Sequence, residues 1–409
     1  MSEEEKKFDI IVKSNTRDLF AFTKLVPSRK KRFEKASSEP ITTDPMNELA
    51  IRLHPLRQYL VISEIINETK STKTYKLTPD PNSNTNQLAY FRAGQYLSLK
   101  VEVNGVTITR PYSIASSPSD ALKGFYEITI RKEEPGFLTQ FIWNKWKVGT
   151  KIESSGPEGF FFYEPLRDLK QIVGLAGGSG ITPFRSIAKE IAEDKLDAKL
   201  TILYGSSEED DIIYHNEFKV LEKKYPDKIK VVHVLSCEKV TLEGCELGFL
   251  TSDIIEKYCD VNNSSFFICG PQIMYNFVEK ELEKFNLLHK RIRREAFGEI
   301  KEILSDPEFP QEVAEKIFKI KAQIGNLTKE IPAKATESVL VALERANLNP
   351  PSKCRSGECG FCRSLLISGD VYISPVSDWR KAGDKKFNYF HPCASYPITD
   401  LEIKVPRHL

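Results

Sequence analysis

Cys354-Arg355-Ser356-Gly357-Glu358-Cys359-Gly360-Phe361-Cys362 sets four residues between its first two cysteines and two between the next pair. A fourth cysteine, Cys393, follows after thirty more residues. C-x4-C-x2-C…C is the spacing of a plant-type [2Fe–2S] site. Three thiolates come from one tight arc and the fourth from a distant segment. Gly357 and Gly360 suit the arc, because glycine takes positive φ cheaply and lets backbone N–H groups approach sulfur. A zinc site usually shows two close cysteine pairs or Cys/His pairs, and here the lone Cys393 has only His391 beside it. A Rieske site needs paired histidines. A disulfide framework does not suit a long chain without a secretory leader. The spacing therefore assigns Cys354, Cys359, Cys362 and Cys393 as metal ligands, which implies a chain built to pass single electrons.

Length and charge bound the rest. A chain of 409 residues argues for two to four domains. With 59 basic against 57 acidic residues, nothing in the charge balance calls for nucleic acid or a membrane surface. Met1-Ser2-Glu3-Glu4-Glu5 is no secretory signal, and no apolar run reaches membrane-spanning length. The expected location is the cytoplasm, with Cys237, Cys245, Cys259 and Cys269 as reduced thiols.

The chain changes texture along its length. Residues 1–56 form an extension of unreadable role, whose basic run Lys24–Lys35 suits a solvated helix face. Residues 57–165 carry short alternating strands, with an Asn104-Gly105 hairpin, and predict an antiparallel β-barrel. Residues 166–297 alternate strand and helix, which predicts a doubly wound parallel α/β sheet. Residues 298–317 read as a charged, proline-marked linker. Residues 318–409 open with a hairpin across Gly325-Asn326 and a helix expected over 336–346, with Thr336 as its cap. The cysteine loop comes next.

Four further motifs carry chemistry. Arg110-Pro111-Tyr112-Ser113 ends a barrel strand, and offers a phosphate partner, a flat ring and a hydroxyl. Gly136-Phe137-Leu138-Thr139 opens a helix, whose N-terminus suits a phosphate. Gly177-Gly178-Ser179-Gly180-Ile181-Thr182-Pro183 lies between a buried strand and a helix, the setting in which a glycine turn meets a pyrophosphate. Thr182 is the expected cap, and Pro183 suits the first helical turn. Cys269-Gly270-Pro271 closes the last strand expected in that sheet, where ligands of such sheets bind.

These motifs, in this order, resemble the ferredoxin–NADP reductase superfamily fused to a C-terminal plant-type ferredoxin domain, as in reductase components of bacterial oxygenases. The resemblance covers residues 57–409. It implies a flavin-binding barrel, an NAD-binding domain and a β-grasp ferredoxin-like domain of α+β class. Arg110 and Pro111 would border the flavin phosphate, Tyr112 would stack on the ring, and Ser113 would sit near its N5. Gly136 to Thr139 would lie at the pyrophosphate. Gly177, Gly178, Gly180, Thr182 and Pro183, with Gly270 and Pro271, would hold the nicotinamide cofactor. Cys269 and Glu295 would act beside the reacting ring, with Phe297 as an aromatic neighbour. FAD is the typical flavin, and FMN occurs in some members.

The cofactor choice has a physical cue. Ser206-Ser207-Glu208-Glu209-Asp210-Asp211 offers four carboxylates and no cation for a 2′-phosphate, so NADH is expected. The expected activity is NADH-dependent electron transfer through flavin and [2Fe–2S] to an electron-accepting protein. Two alternatives stay open: a subunit feeding another flavoprotein dehydrogenase, and a non-enzymatic redox sensor.

Overall fold

The computed structural model describes residues 16–39, 44–134, 136–237, 242–300 and 302–407. The acidic start Met1–Glu5 and Pro40 lie outside them. Helix α1 (Thr16–Glu34) carries the basic run and buries none of its residues, as a solvated helix does. Helix α2 is Pro45–Leu53. Among the described residues, no helix is long and apolar enough to cross a membrane.

Six strands build the barrel: β1 (Gln58–Asn67), β2 (Thr72–Pro79), β3 (Tyr96–Val103), β4 (Val106–Ser113), β5 (Tyr126–Arg131) and β6 (Lys151–Ser154). Their order is β4-β3-β6-β1-β2-β5, and a bridge between Ile114 and Ile128 joins the two ends. β4 ends this order, so Pro111 costs no ladder hydrogen bond there. Asn104 and Gly105 both take positive φ, as the two-residue hairpin requires. Inward residues such as Leu60, Leu77, Leu99 and Ile128 fill the core. Helices α3 (Pro118–Leu122) and α4 (Leu138–Lys145) complete the unit.

The second sheet holds β7 (Gln171–Gly177), β8 (Lys199–Ser206), β9 (Ile229–Leu235), β10 (Glu246–Leu247), β11 (Ser264–Cys269) and β12 (Ile292–Glu295). Its order is β10-β9-β8-β7-β11-β12, with every pair parallel. Ile172 and Val173 fall in opposite cores, one on each face. Helices α5 (Thr182–Ala192) and α6 (His215–Lys224) cover one face, and α7 (Ser252–Tyr258) and α8 (Gln272–Glu283) the other. Such a sheet reads as continuous apolar runs because both faces are covered. β10 and β12 extend it beyond the strands legible in the sequence.

Barrel and sheet share a core. Phe161 lies edge-on to Phe184 at 5.7 Å and to Phe267 at 5.2 Å. Beside this apolar seam the buried Arg185 donates to Glu127 (2.6 Å) and Glu217 (2.7 Å).

The third unit has β13 (Ile317–Ile324), β14 (Leu327–Lys334), β15 (Ser364–Ser368), β17 (Tyr389–Phe390) and β19 (Leu401–Val405) in the order β14-β13-β19-β15-β17. A small pair, β16 (Val371–Tyr372) and β18 (Tyr396–Pro397), lies apart. Helix α9 is Val339–Arg345 and α10 is Ala382–Lys386. The expected Thr336 cap is displaced. A turn closed by Glu337 N–H on Lys334 delays the helix, and Ser338 accepts from Val341 N–H at 3.2 Å instead. The charged stretch before β13 is not a bare linker either. Ile303, Phe309 and Val313 bury themselves against Ala335 and Tyr396.

Candidate functional site

Parallel register brings the reactive candidates together. β11 pairs with β12 so that Cys269 and Glu295 stand side by side at the carboxyl ends. Ser113, at the end of β4, donates to the Glu295 carboxylate at 2.8 Å across the seam. Burial holds the Glu295 carboxyl well above the usual carboxylate range, although the Ser113 hydrogen bond opposes the shift. Burial likewise pushes the Cys269 thiol well up. The site thus presents a carboxyl of raised proton affinity, a neutral thiol and a hydroxyl on one wall. Tyr275 of α8, which the sequence did not single out, ties the strand ends together. Its hydroxyl donates to the Glu295 carbonyl and accepts from Gly270 N–H at 3.2 Å. Phe297 packs edge-on to Tyr96 at 5.0 Å.

A cleft of about 1190 Å³ runs from Arg110, Tyr112 and Ser113 past Thr139 to Gly180 and Cys269. This volume exceeds that of ordinary small-molecule pockets and suits a flavin with a dinucleotide. Pro111, Thr182, Gly270, Pro271, Glu295 and Phe297 also line it. Of the helix-opening stretch, Thr139 reaches the cleft, whereas Leu138 belongs to the barrel core and Phe137 is exposed. Gly136 answers a local crowding, since a Cβ there would meet the Glu133 carbonyl oxygen at 2.3 Å.

The glycine turn differs from expectation in its details. Gly178–Ile181 forms one 3₁₀ turn and α5 starts at Thr182. Thr182 is therefore the first helical residue, and its hydroxyl donates to the Ser179 carbonyl at 2.7 Å rather than capping N–H groups. Pro183 is buried in the second position of the helix. Gly180 is required by packing: a Cβ would fall 2.1 Å from the Cys269 carbonyl oxygen. Gly177 faces the flexible Met274 side chain, which can give way, so packing demands glycine less there.

The acidic stretch after β8 has cations after all, and tertiary contact supplies them. Lys70, in the β1–β2 turn, binds Glu208 and also Asp210, the latter at 3.0 Å. Arg131 and Thr69 bind the buried Asp211, and Ser71 donates to it at 2.8 Å.

In the cysteine loop the four predicted ligands converge. Cys359 N–H points at the Cys354 sulfur (3.4 Å), Phe361 N–H at the Cys359 sulfur (3.5 Å), and the Cys362 and Cys393 sulfurs are 3.4 Å apart. Gly357 (φ +84°) has no room for a side chain, because a Cβ would meet the Ser377 carbonyl oxygen at 2.7 Å. His391 serves the loop as a brace, its Nδ1–H donating to the Gly357 carbonyl at 2.6 Å. Among the described residues no three His, Cys, Asp or Glu are arranged for a single metal ion. Four cysteines brought together by this loop and the segment at Cys393 supply the donor set of a [2Fe–2S] group, two thiolates for each iron. The flavin side touches this loop directly: Gly298 N–H donates to the Cys354 carbonyl at 3.2 Å.

Comparison with known proteins agrees with this geometry. The oxidoreductase FAD-binding domain family matches residues 59–163, the oxidoreductase NAD-binding domain family 175–280, and the 2Fe-2S iron-sulfur cluster binding domain family 323–397. The ferredoxin reductase component of 3-ketosteroid-9-alpha-monooxygenase from Mycobacterium tuberculosis is 27% identical over 377 residues, covering 89% of this chain and 98% of the relative. The glycine betaine monooxygenase reductase subunit of Chromohalobacter salexigens is 24% identical over 83% of this chain and 93% of its own. The solved structure of phthalate dioxygenase reductase superposes with a TM-score of 0.61 at 20% identity, covering 89% of this chain and all of that one (100%). The chain belongs to the ferredoxin–NADP reductase superfamily, in the branch that carries a plant-type ferredoxin domain at its C-terminus. It is an oxidoreductase with FAD-binding, NAD-binding and [2Fe–2S] domains in one chain.

Proposed function

We propose that this chain takes electrons from NADH in the cleft and delivers them singly, through the cluster held by Cys354, Cys359, Cys362 and Cys393, to an oxygenase component. A bound flavin supplies the exchange between a two-electron donor and a one-electron carrier. The protein's own residues set position and protonation. Arg110 faces the flavin phosphate, Tyr112 the ring, and Gly178 to Thr182 the nicotinamide cofactor. Burial raises the hold of the Glu295 carboxyl on a proton, and Ser113 fixes the direction of that carboxyl. Cys269 stays a neutral thiol beside the reacting ring. Among the described residues the cations at this stretch, Lys70 and Arg131, are paired with its carboxylates Glu208, Asp210 and Asp211, which favours NADH. An oxygenase as acceptor is supported by the monooxygenase reductases among the relatives. The cytoplasm is the location that fits NADH and thiolate ligands.

One observation carries this reading. The Ser113–Glu295–Cys269 wall is joined to the cluster loop by a short stretch of chain, which ends in the Gly298–Cys354 hydrogen bond. Anaerobic titration with NADH tests it. Flavin absorbance should bleach first, and the electron paramagnetic resonance signal of a reduced [2Fe–2S] cluster should follow. A cluster that stays oxidised beside a bleached flavin would overturn the reading.

A further inference from the structure

Arg355 is the largest fully buried side chain among the described residues, and it stands one position after a cluster ligand. Its backbone is left-handed, with φ +62°. A bulky residue in that region is costly and persists only where its surroundings hold it. Three units of the chain do so. Its guanidinium makes a fork to both carboxylate oxygens of Glu344 on α9, one bond at 2.9 Å. It binds Glu299 in the segment that follows β12. It also points at the Thr109 carbonyl on β4, at 3.4 Å. That same carbonyl accepts from Arg110 at 3.0 Å. Two guanidiniums, one from the cluster loop and one from the flavin motif, thus converge on a single oxygen.

Like charges this close and this buried repel. Glu299 and Glu344 offset them, and an anion on Arg110 would offset them further. The geometry points to a coupling element made of Arg355 and Glu299: a phosphate on Arg110 relieves the repulsion and favours docking of the cluster loop on the barrel. By reciprocity the docked loop favours the phosphate-bearing flavin. The coupling rests on the reading that Arg110 faces the flavin phosphate. It makes Arg355 and Glu299 positioning residues, which act on the relation between the two cofactor sites and on neither cofactor directly.

The test uses the full chain, stripped of flavin with its cluster retained, and follows tryptic cleavage within residues 299–317. FAD at saturation should slow that cleavage about fivefold or more, the usual range of a coupling between sites. Riboflavin, which lacks the phosphate, should bind and give no protection. In Arg355→Gln, which removes one of the two repelling charges, FAD should bind without slowing cleavage. Glu299→Gln removes an offsetting charge and leaves more repulsion for the phosphate to relieve, so FAD should slow its cleavage by a larger factor than in the parent, while cluster absorbance and NADH-dependent ferricyanide reduction stay at the parent's level. If Arg355→Gln fails to fold, Glu299→Gln alone decides the sign of the effect. Full protection by FAD in Arg355→Gln, a smaller factor in Glu299→Gln than in the parent, or equal protection by riboflavin in the parent, would overturn the coupling. Unchanged FAD affinity in Arg110→Met would instead overturn the reading beneath it.

Discussion

The barrel meets the nucleotide sheet in one way and the cluster domain in another. The first seam is apolar: Phe161 reaches from the barrel side into the sheet's core between Phe184 and Phe267. The second is polar, built from Arg355 on the Thr109 carbonyl and Lys353 on Glu158, and braced by the segment after β12 through Glu299 on Arg355, Gly298 N–H on Cys354 and the Ile300 carbonyl, which accepts from Tyr396. Apolar burial is strong but non-directional. Hydrogen bonds and forked ion pairs fix angle and distance. The barrel and sheet must stay together to form a cleft, and the cluster must be held at a set distance from it. Each seam uses the interaction suited to its task.

The comparison can be broken most severely at the apolar seam. Phe161→Ala should cost about 3–5 kcal/mol, as large-to-small changes of a core phenylalanine do. Denaturant unfolding measures it, and a loss below about 1 kcal/mol would show that the barrel and sheet do not share a core. Acid should loosen the same half through His233. Burial, and the neighbouring His215, hold its ring down at about 4. The unfolded ring takes up a proton below about 6.5 and the folded one does not, so stability should decline as pH falls from about 6.5 to about 4. The full effect is about 3 kcal/mol. A His233→Asn variant should lack this part of the pH profile, and an unchanged profile would relieve His233 of the role.

At the polar rim of that seam, NADH should exceed NADPH in kcat/KM by about tenfold or more. Glu208→Gln with Asp210→Asn frees Lys70 and should narrow the ratio. Equal use of both cofactors by the parent would show that this stretch does not face the ribose. The smallest effect belongs to Lys353, which binds Glu158 across the second seam while partly open to solvent. Lys353→Met should cost no more than about 1 kcal/mol in thermal unfolding. A larger loss would mean that single ion pairs, and not the Arg355 network, hold the cluster domain.

Sequence legibility followed locality. The cysteine loop, the Arg110–Ser113 strand end and the glycine turn are short-range patterns, and all three were readable. The braces were not. Arg355 finds Thr109 across 246 positions and Ser113 finds Glu295 across 182, and nothing local marks either pair. Glu295 entered through family resemblance, since on charge alone it is one more carboxylate. Gly180 was readable as a needed glycine, but its packing against Cys269 depends on how two strand ends converge. Lys70 beside Glu208 could not be read from local charge, because a turn far away in sequence supplies this cation, and its pairing leaves the expectation of NADH standing. The stretch 299–316 looked like a linker because charges outnumber its three buried apolar residues.

The central claim is a linear path from NADH through flavin to the cluster, and Cys359→Ser tests it most directly. A hydroxyl is a poor replacement for a thiolate ligand, so the cluster should be lost or badly weakened. The barrel and the nucleotide sheet have cores of their own and should persist. Rapid-mixing absorbance should then show NADH bleaching the flavin at the parent's rate, and ferricyanide should still be reduced. Reduction of cytochrome c, or of the electron-accepting partner protein, should fall steeply, as loss of an essential step requires. A Cys359→Ser protein that reduces its partner at the parent's rate would contradict the account, and would place the cluster outside the path.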